Sequence, residues 1–126
     1  MKKQKFYICK HCGNMAALII NNGVSLNCCG EKMAELISNT QDASHEKHVP
    51  FVTKGSGSIT VRVGDVLHPM EEKHNIGFVD VETQNGGQRK NFCIGDEPVA
   101  TFSFSDDEPV AVYAYCNIHG LWSCEL

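Results

Sequence analysis

Nothing in this 126-residue chain approaches the ~20 consecutive apolar residues that a helix needs to cross a bilayer. No apolar stretch follows the lysines of Met1-Lys2-Lys3-Gln4-Lys5-Phe6, so a secretory leader is not expected and the expected compartment is the cytoplasm. Proline is sparse, four residues in all and none within residues 1–36. There is no internal repeat and no low-complexity tract. Positive charge is scarce too: the net charge is -4, divided as +3 over residues 1–36 and -7 over residues 37–126. Neither part is basic enough to argue for nucleic acid. Hydrophobic residues make up 42%, which excludes a disordered chain and allows a compact core. The length suits one ordinary domain or two very small ones.

What the chain has in excess is cysteine and histidine, seven and six residues. Where thiols stay reduced, that density points to metal ligation ahead of disulfides. Four of the cysteines fall within residues 1–36. There Lys5–Ile8, Ala17–Ile20 and Val24–Asn27 read as short strands, with Asn21-Asn22-Gly23 turning between the last two. Domains below ~40 residues usually need a metal or disulfides, because they bury too little surface. Ser38–Ser44 is polar and aperiodic and reads as a linker. From Val49 the pattern is strand-like. Ser58–Val63 alternates apolar and polar, and Ile76–Val81, Gln88–Ile94, Ala100–Phe104 and Val110–Tyr115 follow between turn signals. The expected fold is all-β: a metal-binding domain over 1–37, a linker over 38–44 and an antiparallel β-sandwich over 45–126.

Cys9-Lys10-His11-Cys12-Gly13 is a C-x-x-C followed by a glycine, and Cys28-Cys29-Gly30 supplies an adjacent pair. Four thiolates suffice for a closed tetrahedral site. Iron and zinc both suit four sulfurs, and two disulfides are the remaining alternative. A zinc ribbon normally repeats C-x-x-C, so the adjacent pair is the distinguishing feature.

The second group is dispersed: Glu46-Lys47-His48-Val49-Pro50, His68-Pro69-Met70-Glu71-Glu72-Lys73-His74 and Cys116-Asn117-Ile118-His119-Gly120. A lone loop histidine is commonly just solvated. Here four of six sit in three loop-like segments that border strands, where function collects on a rigid sandwich. The Cys116-x-x-His119 spacing lets both side chains reach one metal. Four neutral imidazoles and one thiolate make a five-coordinate set, and an octahedral ion would keep one position free. With divalent iron that set carries one positive charge, which attracts a small anion. Lys47 adds local positive potential.

These motifs, in this order and across nearly the whole chain, closely resemble desulfoferrodoxin, the two-iron form of superoxide reductase. The resemblance implies a desulforedoxin-like domain with a distorted tetrahedral iron bound by Cys9, Cys12, Cys28 and Cys29. It implies an immunoglobulin-like sandwich carrying a second iron, with His48, His68, His74 and His119 as equatorial ligands and Cys116 as the axial one. Glu46 would take the sixth position in the oxidised state, and Lys47 would steer superoxide and help protonate the product. The implied reaction joins one superoxide, one electron and two protons into one hydrogen peroxide without oxygen release, a protection against oxidative stress. The implied partners are a rubredoxin-like electron donor and a second copy of the chain. Two departures stand near the second group: Ala114 where relatives often have glutamate, and His119-Gly120-Leu121-Trp122 where they often read His-Gly-His-Trp.

The remaining candidates receive plainer readings. Cys93 and Cys124 lie in strand-like segments and are expected to be buried free thiols. His11 and His45 are expected at the surface, Trp122 in the core or behind the ligands, and Lys73, Glu71 and Glu72 as loop charge. Two rival functions remain in view. A superoxide dismutase would yield half a peroxide per superoxide instead of one. A zinc-stabilised interaction module or simple electron carrier would leave no open position for small anions.

Overall fold

The computed structural model describes residues 4–126, and the chain divides into two compact units, one ending at Ile37 and the other running from Ser38 to Leu126. In the smaller unit, β1 (Phe6–Ile8), β2 (Met15–Ala17), β3 (Asn27–Cys28), β4 (Glu31–Lys32) and β5 (Ala34–Leu36) form a sheet of order β2-β1-β5 and a separate β3-β4 ladder. The first cysteine pair is itself the β1–β2 turn. Cys9 N–H donates to Asn14 O at 2.8 Å and Gly13 N–H to Cys9 O at 2.9 Å, which sets Ile8 opposite Met15. Gly13 has φ +82°, a region that only glycine enters freely. Cys29 and Gly30 turn β3 into β4, setting Cys28 opposite Glu31, with Cys29 left-handed at φ +53°. Among the described residues, Phe6, Cys9 and Met33 are the buried hydrophobic side chains of this unit.

Two expected strands shift here. Ala17–Ile20 and Val24–Asn27 are largely loop, because β1 finds its partners in Met15–Ala17 and Ala34–Leu36 instead. Ile19 is 100% exposed. Asn21-Asn22-Gly23 does bend, with Gly23 N–H donating to Asn21 Oδ1 at 2.8 Å, but it joins loop segments rather than paired strands.

The larger unit opens with one helical turn, α1 (His45–His48). Seven strands follow: β6 (Pro50–Gly55), β7 (Ser58–Val63), β8 (Ile76–Thr83), β9 (Gly87–Asn91), β10 (Val99–Ser103), β11 (Pro109–Cys116) and β12 (Gly120–Glu125). They make two antiparallel sheets, β10-β7-β6 and β12-β11-β8-β9, the expected sandwich. The alternation of β7 buries Ile59, Val61 and Val63 and turns Ser58, Thr60 and Arg62 outward. Those three side chains share one core with Phe102 of β10, Val79 and Val81 of β8, and Val112 and Ala114 of β11. Burying each large aliphatic group there contributes roughly 1.5–3 kcal/mol. Ser38 and Asn39 run beside β12: Ser38 Oγ meets Ser123 Oγ at 2.8 Å, and Asn39 Oδ1 accepts Ser123 N–H at 2.9 Å.

One cysteine reading is corrected. β9 ends at Asn91, so Cys93 lies beyond it and is exposed, its N–H held by Asp96 Oδ2 at 2.8 Å. Cys124, by contrast, packs against the core from β12.

Register brings the second group of motifs to one end of the sandwich. Pro50 pairs with Val63, and Cys116 pairs with both Ile76 and Gly120. The segments before β6, after β7, before β8 and between β11 and β12 therefore lie together. Gly64 makes the close approach of α1 possible, since a Cβ there would meet Glu46 O at 2.7 Å and Val49 O at 2.8 Å.

Candidate metal centres

The smaller unit brings Cys9, Cys12, Cys28 and Cys29 together, their sulfurs all within 4.8 Å of one another. Cys12 and Cys28 are 3.6 Å apart and Cys28 and Cys29 4.0 Å. Tetrahedral bonds of about 2.3 Å to one ion separate sulfurs by about 3.8 Å, so the cluster has the size of a metal site. Its acid–base chemistry fits as well. The Cys12 backbone N–H stabilises the Cys9 thiolate and draws its pKa down to about 6. Hydrogen bonding to Cys12 and Cys9 pushes Cys29 up to about 12 and raises Cys28 too. Four thiolates repel one another unless a cation neutralises them. Asn14 supplies N–H donors to two sulfurs, its backbone to Cys12 at 3.4 Å and its side chain to Cys28 at 3.9 Å. His11, expected at the surface, is exposed and bonds Glu31 at 2.6 Å.

In the larger unit four imidazoles form a square. Centroid distances around it are 4.7 Å (His48–His68), 4.5 Å (His68–His74), 5.1 Å (His74–His119) and 4.9 Å (His119–His48). The His48–His74 diagonal is 6.3 Å, and neighbouring rings cross at 74° to 90°. His48, α1's last residue, donates Nδ1–H to Ser44 O at 2.6 Å, and His68 donates Nδ1–H to Pro69 O at 2.7 Å. Each is left with a bare lone pair on Nε2. Those two Nε2 atoms nevertheless stand 3.1 Å apart, and His48 Nε2 is 3.1 Å from His119 Nδ1. With both ring protons committed elsewhere, the contact between the two Nε2 atoms has no hydrogen to share. It matches two imidazoles bound at right angles to one ion by bonds of about 2.1 Å, which places the nitrogens about 3 Å apart. His74 Nε2 is buried with no hydrogen-bond partner, an orphaned acceptor of the kind a metal satisfies.

Burial lowers the pKa of His48, His74 and His68, the last to about 4, so all three are neutral and ready to ligate at pH 7. Cys116 is fully buried, its Sγ 3.8 Å from His119 Nδ1 and accepting His119 N–H at 3.4 Å. Its sulfur and the donor atoms of His48, His68 and His74 all lie within 4.8 Å of one another. Lys47 is exposed, yet its charge helps depress both His48 and His74. His119 stands outside this mutually close set of four and meets it through His48 Nε2 and Cys116 Sγ. Glu46 is exposed and also outside it, and its carbonyl takes Val66 N–H at 2.9 Å.

Sequence reasoning did not anticipate the parts made of backbone or packing. The carbonyls of Ser44 and Pro69 carry no side-chain signal. Trp122, placed in the core or behind the ligands, is fully buried, lies 5.0 Å from the His48 ring and donates Nε1–H to His119 O at 3.1 Å. The two departures, Ala114 and Leu121, are both buried. Ala114 shares a strand face with Cys116 and belongs to the hydrophobic core. A cleft of about 730 Å³, lined by Lys54, Ile59, Phe104, Asp107 and Leu126, holds none of the expected site residues.

Comparison with known proteins agrees with this geometry. The desulfoferrodoxin family profile matches residues 40–125. A desulfoferrodoxin of Syntrophotalea carbinolica is 42% identical over 98% of both chains. The crystal structure of the superoxide reductase from Treponema pallidum superposes with a TM-score of 0.81 at 31% identity, covering 98% of this chain and 99% of that one. A one-iron superoxide reductase from Giardia intestinalis, also 31% identical, superposes with a TM-score of 0.55 and covers 64% of this chain and 97% of its own.

Proposed function

The chain belongs to the desulfoferrodoxin family, and from that premise we propose that it is a superoxide reductase that turns superoxide into hydrogen peroxide. The observation that carries this reading is the square of imidazoles with converging lone pairs, set against a buried cysteine sulfur. His48, His68, His74, His119 and Cys116 would hold one iron, and Cys9, Cys12, Cys28 and Cys29 the other. When bound by the histidines and Cys116, iron supplies the one-electron reduction of superoxide.

This chain's residues supply the rest. Cys116, buried on the core side, would donate thiolate electron density to that iron, as a thiolate does toward haem iron. The carbonyls of Ser44 and Pro69 hold two rings in the tautomer that ligates. Lys47 sets a positive charge beside His48 and His74, which attracts the anion, and Nζ keeps a proton available for the outgoing peroxide. Glu46, on the helical turn that carries His48, would add a carboxylate ligand when that iron is oxidised.

Residues 1–37 form the domain of the first iron and 38–44 the linker in this reading. The electron donor is a rubredoxin-like carrier. Exposed Ile19, Ile20 and Val24 favour a homodimer, since apolar loops on so small a unit gain by being covered. None of the seven cysteines is paired in a disulfide, and five of them serve as ligands in this reading, which favours the reducing cytoplasm.

Counting peroxide formed per superoxide consumed tests the reaction: one supports a reductase, half a dismutase. Metal analysis should return two irons per chain. Cys116→Ser should abolish the thiolate-to-iron absorption of the oxidised second centre and spare that of the first. Survival of that band would overturn the assignment of Cys116.

A further inference from the structure

The four histidines are not held alike. His48 and His68 each lean on a backbone carbonyl through Nδ1, and His119 is fixed through its main chain by Cys116 Sγ and Trp122 Nε1. His74 makes no side-chain hydrogen bond among the described residues, and its buried Nε2 is unpartnered. Its position must come from its loop. Part of that loop is self-contained: Glu71 and His74 exchange backbone bonds at 2.9 and 3.1 Å, and Asn75 Nδ2 donates to Glu71 O at 3.0 Å.

The rest comes from across the site. Asn117 follows Cys116 directly and binds both neighbours of His74. Its side-chain Nδ2 donates to Lys73 O at 3.0 Å, and its Oδ1 accepts Asn75 N–H at 2.9 Å. Its own N–H donates to Asn75 O at 3.2 Å. We propose that Asn117 is a positioning residue for the second centre, a clasp that registers the His74 loop against the Cys116–His119 turn. This rests on the reading that those residues hold iron.

The chemistry selects asparagine. One planar amide offers an acceptor to Asn75 and a donor to Lys73 at once. Aspartate keeps the acceptor and loses the donor, alanine loses both, and glutamine adds a methylene that breaks the fit. Asn117 is also exposed, so its side chain contributes little to packing. Its value therefore lies in where His74 stands rather than in packing. Partners that orient a ligand from outside the coordination sphere are typically worth 10–100-fold in metal affinity, an order-of-magnitude range.

The test follows iron loss from the full-length, two-iron protein to excess chelator, reading each centre by its own absorption. Asn117→Ala should release the histidine-bound iron about 10-fold faster or more, and Asn117→Asp by a smaller factor. The four-cysteine iron should leave at the wild-type rate, and the metal-free larger unit should melt unchanged. Equal release from wild type and Asn117→Ala would overturn the clasp, as would a matching fall in metal-free stability, which marks a merely structural role. Should Asn117→Ala not fold, Asn117→Asp decides on the same readouts. Wild-type protein that takes up no second iron would sink the parent assignment instead.

Discussion

The smaller unit buries Phe6, Cys9 and Met33, while the larger one closes a core of eleven buried residues across two sheets. Both gather a set of metal-ligating side chains, but from opposite starting points. In the first, the cysteines are the turns: remove what they grip and little remains to keep β1, β2 and β5 in register. In the second, the ligands stand at the ends of strands that a hydrophobic core already aligns. The first fold is therefore expected to depend on its metal, and the second to prepare a place for it.

Stripping both metals should expose that contrast most strongly, because structural sites of this kind contribute on the order of 10 kcal/mol to folding. Amide protection should vanish through Phe6–Ile8 and Ala34–Leu36 and persist in Ser58–Val63 and Pro109–Cys116, as read by hydrogen exchange. Equal loss in both units would break the comparison. Trp122→Ala comes next, costing the larger unit about 3–5 kcal/mol in denaturant unfolding and leaving the first centre's absorption unchanged. Trp122→Phe should restore most of that stability while still lacking the Nε1–H bond to His119 O.

Lys47→Ile should slow superoxide capture about 10-fold and flatten its dependence on ionic strength, with both irons retained. A capture rate unchanged across salt concentrations, measured by pulse radiolysis, would remove Lys47 from the steering role. The smallest effect belongs to Asp80, which burial pushes up to about 6 despite Arg89 opposite it on β9. The folded state holds that proton more tightly than the unfolded chain, so this carboxylate costs stability above pH 6, and the cost disappears as pH falls toward 4. Asp80→Asn should stabilise the larger unit at pH 7 by on the order of 1 kcal/mol and level the slope between pH 4 and 6. A melt that keeps the wild-type slope would assign it to another group.

The sandwich and both ligand groups were legible because their signals are carried by side chains. The alternation of Ser58–Val63 reports one buried face directly. The ligands announce themselves by residue type at loop-like positions. The smaller unit was harder to read: its strands are two or three residues long, and no periodicity can develop over that length. Ala17–Ile20 looks like a strand by composition, but register was already set by the Cys9–Asn14 turn, which spends Met15–Ala17 on β1. Cys93 misled for a similar reason, since the apolar run around it continues past the last residue that β8 pairs. The supports behind the ligands were invisible where they are main-chain carbonyls. Asn117 had no signal of its own, being one polar residue between two stronger ones.

That first turn also constrains how relatives of this chain can diverge in length. One residue added between Cys9 and Asn14 would slide Met15–Ala17 by a position and turn every side chain of β2 to the other face, while parting the two sulfurs. The segment 18–26 answers to no such rule, since it lies outside the paired strands. Insertions and deletions in this unit should therefore collect in that loop and spare the six residues from Cys9 to Asn14.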